Sequence, residues 1–163
     1  MIKPMNIKNH KKRFTKTDFV RMLVENSHFS PSHSIEILSK LISDNFIEGG
    51  IRGPHAPSIK AGDAAKILII LMIGASVSTY EYMFELLPDG ITGAVTNMLL
   101  YCTESEKIES LSVDNINFTA TILYKNGDQS NFGEIKKYKS RAITEIDGAV
   151  LHKLSLALQE VKS

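Results

Sequence analysis

Seven consecutive apolar residues, Ile67 through Ile73, constrain this chain more than any other feature. As a helix the run is apolar on every side, and such a helix has to be covered by neighbours all round. It closes the stretch FIEGGIRGPHAPSIKAGDAAKILIILMI, Phe46 to Ile73, which opens as a glycine-punctuated basic loop from Gly49 to Pro57. A membrane span needs about 20 apolar residues, and Asp63 and Lys66 close this run too early. The expectation is a buried third helix, from Gly62 or Asp63 to Gly74, serving as a central strut.

Two shorter helical patterns precede it. Thr15 or Thr17 can cap a first helix with Asp18 near its positive end, and Phe19, Met22 and Leu23 share one face. Asn26-Ser27-His28 ends it. Ser30-Pro31 is a start signal for a second helix, an N-cap followed by proline at the first helical position. Over Ser32 to Asp44 the apolar positions Ile35, Leu38, Leu41 and Ile42 predict the inner face. Ser32, His33, Glu36, Ser39, Lys40 and Ser43 fall opposite. Phe46-Ile47 reads as a short strand. Gly49-Gly50 permits a reversal with positive φ, and Pro54 and Pro57 keep the far limb extended. A helix pair followed by an arginine-bearing loop has the order of a winged helix-turn-helix, in which the second helix enters the major groove and the wing touches the backbone beside it.

Gly49, Gly50, Arg52, Gly53, Pro54, Ala56 and Pro57, then Asp63, Ala64, Ala65, Leu68, Ile69, Leu71 and Met72, form a pattern that resembles largely uncharacterised bacterial and prophage-type proteins of helix-turn-helix-like character. The resemblance covers residues 15–75, under half the chain. This sequence departs from the pattern at Lys60-Ala61-Gly62, where a Thr-Pro-Arg start would stand, so the third helix lacks that cap and proline. The resemblance implies a mobile-element setting and DNA contact, and it carries no established activity.

Beyond the third helix, Ser76 or Ser78 caps a fourth that runs to Leu87, with Tyr82, Met83, Leu86 and Leu87 inside. Pro88-Asp89-Gly90 is a turn. A fifth helix, Ile91 to Cys102, buries Val95, Met98, Leu99 and Cys102. The period then changes to two. From Leu111 to Tyr124 the parity of Ile116, Phe118, Ala120, Ile122 and Tyr124 predicts the apolar face of one long strand. Asn126-Gly127 favours a hairpin turn, with a return strand from Phe132 towards Ile146, broken near Ser140. Gly148 opens a last helix carrying Val150, Leu151, Leu154 and Leu158.

Composition is that of an ordinary globular protein, 43% hydrophobic and 23% charged in 163 residues, enough to bury a core without staples. The single Cys102 excludes an intramolecular disulfide and a cysteine-based zinc site, and with no secretory pattern the expected compartment is the cytoplasm. The net charge of +1 conceals asymmetry: Lys3, Lys8, Lys11, Lys12, Arg13, Lys16 and Arg21 face only Asp18 at the front, whereas acids dominate from Tyr80 to Ser110. A basic arm on a near-neutral body is the footprint of a polyanion partner; a solvated terminus has the same composition.

No pattern supports catalysis. The loop lacks the Gly-Lys-Ser/Thr ending of a phosphate-binding P-loop and the Gly-x-Gly-x-x-Gly fingerprint, no serine sits in a nucleophile elbow, and His28 and His33 have no carboxylate at ligand spacing. Neither cofactor nor metal is expected. Duplex affinity comes chiefly from cations that displace counterions. The DNA-contacting set is therefore Lys8, Lys11, Lys12, Arg13, Lys16, Arg52 and His55, joined by Ser32, His33 and Lys40 on the second helix. That helix is poor in the Arg, Asn and Gln that read bases, so binding should depend on the arm and be reinforced by oligomers.

The sequence thus predicts an α+β protein: a basic arm over 1–14, a winged helix-turn-helix-like module over 15–60, and a helical core with a β-hairpin and terminal helix over 61–163. The expected role is a DNA-binding regulator of a phage or mobile element, acting as a homo-oligomer, most simply a dimer. The alternative is a non-catalytic interaction or assembly protein that reuses a degenerate winged shape.

Overall fold

The structure, a computed structural model, describes residues 13–49, 56–134 and 140–160. Helix α1 (Lys16–Glu25) starts at a reciprocal cap: the Thr15 hydroxyl accepts from the Asp18 amide at 3.2 Å, and the Asp18 carboxylate accepts from the Thr15 amide at 3.0 Å. Both orphan donors of the first turn are satisfied by residues three apart. Helix α2 (Pro31–Ser43) starts where Ser30-Pro31 predicts, with the Ser30 hydroxyl accepting from the His33 amide.

Its inner face is rotated from the expected one. Ser34, Ile37, Leu38 and Leu41 are buried, Ile42 is half-buried and Ile35 is 46% exposed. Burial of Ser34 costs little because its hydroxyl donates to the Ser30 carbonyl at 2.7 Å, one turn back. A small, locally satisfied serine lets α2 approach its neighbours closely, and Ile35 is carried outward.

Phe46-Ile47 is a bend rather than the expected strand. Helix α2 ends in a left-handed Asn45 (φ 55°), and the Phe46 amide donates back to the Leu41 carbonyl at 2.9 Å while that of Asn45 donates to Ile42 at 3.1 Å. That pair of bonds is a Schellman termination, and it consumes the donor a strand would need. No residue between Arg13 and Lys107 is in a strand among those described, so the module has the helix pair and no described wing strand.

Helix α3 (Ala61–Met72) buries Ala64, Ala65 and every residue from Ile67 to Met72. It packs on α2 and, more extensively, on α5 (Ile91–Leu100). A second Schellman termination, with Gly74 at φ 68°, ends it. Helix α4 (Tyr80–Glu85) is shorter than expected because Ser76–Thr79 form a hydroxyl-bonded turn, with the Thr79 hydroxyl accepting from the Ser76 amide. Its inner residues also differ. Tyr80 is buried, while Tyr82 is 68% exposed and Leu86 is 42% exposed. The orientation follows Phe46, whose ring meets Tyr80 and Phe84 edge-on at 5.2 and 5.1 Å. Cys102, expected on the fifth helix, instead begins the four-residue α6 (Cys102–Ser105) and is half-buried.

The expected hairpin is a four-stranded antiparallel sheet, β1 (Ile108–Asp114), β2 (Thr119–Tyr124), β3 (Gln129–Phe132) and β4 (Ile143–Asp147), in the order β3-β2-β1-β4. The single long strand read from Leu111 to Tyr124 is two. The Asp114 carboxylate accepts from the amides of Ile116 and Asn117 and from the Asn117 side chain, which reverses the chain over Asn115–Phe118. Val113 then pairs with Ala120 and Leu111 with Ile122, so odd residues of β1 share a face with even residues of β2. That face is buried and includes Ile146, which pairs with Leu111. The other face presents Ser112, Thr121, Asn131 and Glu145. Asn126-Gly127 forms the β2–β3 turn, with Gly127 at φ 94°.

Helix α7 (Gly148–Glu160) follows β4 without a linker and packs on α5, α6 and β1. Buried side chains from Phe14 to Leu158 form one cluster, so the first helices and the sheet share a core.

Candidate nucleic-acid interface

Where the chain enters α1 it is stitched to the far end of the Gly/Pro loop. The Phe14 carbonyl accepts from the Ile59 amide at 2.7 Å, the Phe14 amide donates to the Ser58 hydroxyl at 3.3 Å, and the Arg13 guanidinium donates to the Ala56 carbonyl at 3.3 Å. These three bonds cross more than forty residues of sequence. They are anchored by Phe14 and Ile59, both buried, with Phe14 edge-on to Phe19 at 6.4 Å. The neck of the loop is closed a second time by Lys60 and Glu48, whose ammonium and carboxylate lie 2.7 Å apart, and by the Glu48 amide donating to Asp63. The Lys60 hydrogen bond and charge hold the Glu48 carboxyl below its ordinary value, with Lys16 adding to the effect; Glu48 in turn raises Lys60. Both groups are largely solvated, so the pair shapes the neck more than it stabilises the fold.

Arg13 and Ala56, the described residues that follow 1–12 and 50–55 in the chain, therefore meet at one corner. Five of the ten expected DNA contacts, Lys8, Lys11, Lys12, Arg52 and His55, lie outside the described residues. Arg13 and Lys16 stand at the corner itself, Arg13 exposed and Lys16 half-buried at the head of α1.

The three residues expected from α2 have their described contacts elsewhere. Ser32 is exposed, its hydroxyl 3.2 Å from that of Ser30. His33 is half-buried and its Nε2 lies 3.0 Å from the Ala75 carbonyl, tying α2 to the end of α3. The Lys40 ammonium lies 3.1 Å from Asp44. Asp44 also accepts from the Tyr80 phenol at 2.6 Å; that bond, then Lys40, holds its carboxyl below the usual range. Burial above all, then hydrogen bonds to Asp44 and Glu81, pushes the Tyr80 phenol far up. This network clamps α4 onto the end of α2 and occupies the one lysine of the helix. The outward side of α2 is left with Ser32, Ile35, Glu36, Ser39 and Ser43.

Sequence reasoning missed Lys60, Glu48 and Ser58. Their signal was weak because each matters only through a partner brought near by the loop. Elsewhere, Ser105 Oγ lies 3.0 Å from His152 Nδ1 and also donates to the Cys102 carbonyl. Ser105 is 1% exposed and no carboxylate is described on the imidazole, so the pair joins α6 to α7 and lacks the access a nucleophile requires. No helix among the described residues is long and apolar enough to cross a membrane.

Comparison with protein-family models, with curated proteins and with solved structures finds no match to this chain. The functional reading therefore rests on the residues themselves.

Proposed function

We propose that the protein binds duplex DNA through the sugar-phosphate backbone, using the basic arm ahead of Phe14 and the Gly/Arg loop ahead of Ala56, and serves as a regulatory protein of a phage or mobile element. The observation that carries this reading is the triple stitch of Arg13 and Phe14 to Ala56, Ser58 and Ile59. It brings Arg13, which follows Lys8, Lys11 and Lys12 in the chain, against Ala56, which follows Arg52 and His55. Phosphate binding needs cations presented together and asks for no base-reading helix. Helix α2, with Lys40 bound to Asp44 and His33 turned to Ala75, is assigned a supporting part. Two copies acting together would double the cationic footprint, which is the sense of the homo-oligomer expected from sequence.

The test is binding of a short fluorescent duplex at graded salt. Four to six neutralised phosphates give a slope of log K against log salt of about −4 to −5. Lys11→Glu with Lys12→Glu, or Arg52→Glu, should each weaken binding and flatten the slope by about one unit for every phosphate no longer neutralised. Lys40→Glu should change little. Failure to bind at low salt overturns the proposal.

One set of observations favours the alternative of a non-catalytic interaction protein: Ile35, Tyr82 and Leu86 are large, apolar and exposed. Singly exposed apolar residues are common on monomers, so this reading stands second. It gains the lead if DNA binding is absent while Tyr82→Ser with Leu86→Ser abolishes self-association.

A further inference from the structure

On its outer edge β4 has a hydrogen-bond ladder left unmade. The Ala142 carbonyl accepts from the Asn115 amide at 2.7 Å, and β4 then pairs with β1 residue by residue without a bulge. Backbone groups alternate in direction along an antiparallel pair. Ala142, Thr144 and Ile146 therefore turn theirs to β1, and Ile143 and Glu145 turn theirs outward. Among the described residues nothing takes those two N–H and two C=O groups. An unpaired strand edge is a template for an extended segment.

That edge is also one wall of a groove of about 720 Å³, whose other wall is the α1–α2 turn from Glu25 to Phe29. All five residues of β4 line it, and so does Val150 of α7. The lining holds three exposed carboxylates, Glu25, Glu145 and Asp147, and no Lys or Arg. Lys153 reaches the turn but donates to the Asn26 side chain at 3.0 Å. Arg141 precedes the strand and lines a separate small hollow with Ser112 and Ile143. The two sides of β4 differ. Ile143, Glu145 and Asp147 are exposed. Thr144 is half-buried, Ile146 is buried, and both share the groove with the half-buried Phe29 and Val150.

We propose that this groove takes an extended basic segment of a partner protein as an added strand beside β4. The main chain supplies affinity in such an addition, and alternate side chains set the sequence preference. Opposite Glu145 and Asp147 the segment carries Lys or Arg. Opposite Ile143, beside Arg141, it carries an uncharged residue, and the positions between are apolar to suit Phe29 and Val150. Charge favours this occupant over a second copy: β4 paired antiparallel with itself about its centre would set Glu145 against Glu145, and like charges directly opposite are destabilising. The five residues of β4 span about 17 Å, so a segment of similar length fills the edge. The inference is independent of the DNA reading, whose cations lie elsewhere in the chain, and either can fail alone.

The test titrates the isotope-labelled full chain with the peptide acetyl-Val-Lys-Val-Lys-Val-Thr-amide and follows its amide spectrum. Shifts are expected at 143–147 and Ser27–Phe29, with Gln129–Phe132 on the opposite edge of the sheet unmoved and amide exchange slowed at Ile143 and Glu145. Glu145→Lys with Asp147→Lys, both exposed, should weaken binding about tenfold and leave the remaining spectrum intact, and Glu25→Lys should weaken it less. Two further peptides, methylated on alternate sets of backbone nitrogens, keep the charge: the set facing β4 should lose binding and the other retain it. Shifts that are absent or scattered, equal binding of the peptide with Glu in place of Lys, or equal binding of both methylated peptides overturns the proposal. The same shifts on concentrating the protein alone would assign the edge to a second copy. Movement of the 143–147 amides in peptide-free protein on Lys3→Glu with Lys8→Glu would assign it to the chain's own arm. Either outcome overturns the choice of a separate partner.

Discussion

Gly148 joins β4 to α7 with no intervening loop, and its replacement by alanine tests whether that junction is as tight as it looks. A methyl placed there would lie 1.7 Å from the Ile108 carbonyl oxygen, 2.5 Å from its carbon and 3.2 Å from the Glu109 carbonyl carbon. Ordinary contact begins at 3.4 Å, so α7 and β1 would have to part by about 1.7 Å. Neither can yield cheaply. The obstacle is main chain rather than a rotatable side chain, Ser110 of β1 is paired with Asp147 next door, and α7 is anchored by buried Leu151, Leu154 and Leu158. Overpacking costs about 1–3 kcal/mol, and an obstruction by backbone places Gly148→Ala at about 3 kcal/mol. For a chain of this size that corresponds to a fall of about 6–12 °C in Tm. Urea unfolding followed by circular dichroism should show a lower midpoint at unchanged slope. Gly93→Ala provides the opposite case: it sits in α5, exposed, with nothing within 4 Å of the added carbon, and should stabilise by about 0.5–1 kcal/mol. A Gly148→Ala effect under about 0.5 kcal/mol, the range of neutral surface changes, would refute the junction as described.

Two isoleucines of α2 should respond differently in chemical denaturation. Ile37→Ala should destabilise by about 2–5 kcal/mol and Ile35→Ser by under about 0.5 kcal/mol, reversing the expectation from periodicity alone; equal effects would refute the rotated face of that helix. Tyr80→Phe removes the bonds to Asp44 and Glu81 and should cost about 1 kcal/mol, with greater amide exchange over α4. A neutral result would mean that the phenol does not clamp that helix. At Asp114, burial pushes the carboxyl up, but hydrogen bonds from the Asn117 side chain and from the amides of Asn117, Ile116 and Ala142 outweigh it, so the folded value lies below the ordinary one. A depressed carboxyl stabilises fully above the unfolded value of about 3.9 and loses that contribution as pH falls through the folded value. Asp114→Asn should therefore lower stability at neutral pH and flatten its decline below about pH 4; an unchanged acid limb would show that Asp114 does not govern it.

The caps of α1 and α2 were legible because each is decided within three or four residues: Thr15 with Asp18, and Ser30 with Pro31. The burial of α3 was equally plain, since no rotation of Ile67–Ile73 offers water a polar side. Less of the candidate site could be read. The cations were visible as composition, but the stitch at Arg13 depends on Phe14 and Ile59 entering the same core, and Ser58, Glu48 and Lys60 matter only there.

Other features turned on neighbours distant in sequence. Periodicity allowed two faces for α2, both containing Leu38 and Leu41, and the local bond of Ser34 let packing take the one that exposes Ile35. Tyr80 went inward ahead of Tyr82 because the Phe46 ring awaited it. Asp114 turned one apparent strand into two and exchanged the parity of the buried residues, and β4 paired with β1 instead of β3, leaving an edge beside the α1–α2 turn. Alone, the sequence determined where α1 and α2 begin, that α3 is wholly covered, and that the front of the chain is basic, because those depend on local backbone bonding and on solubility. The direction each amphipathic face points, the sheet order and the meeting of Arg13 and Phe14 with Ala56–Ile59 were decided in three dimensions, because two faces of similar hydrophobicity differ only in the partner that reaches them.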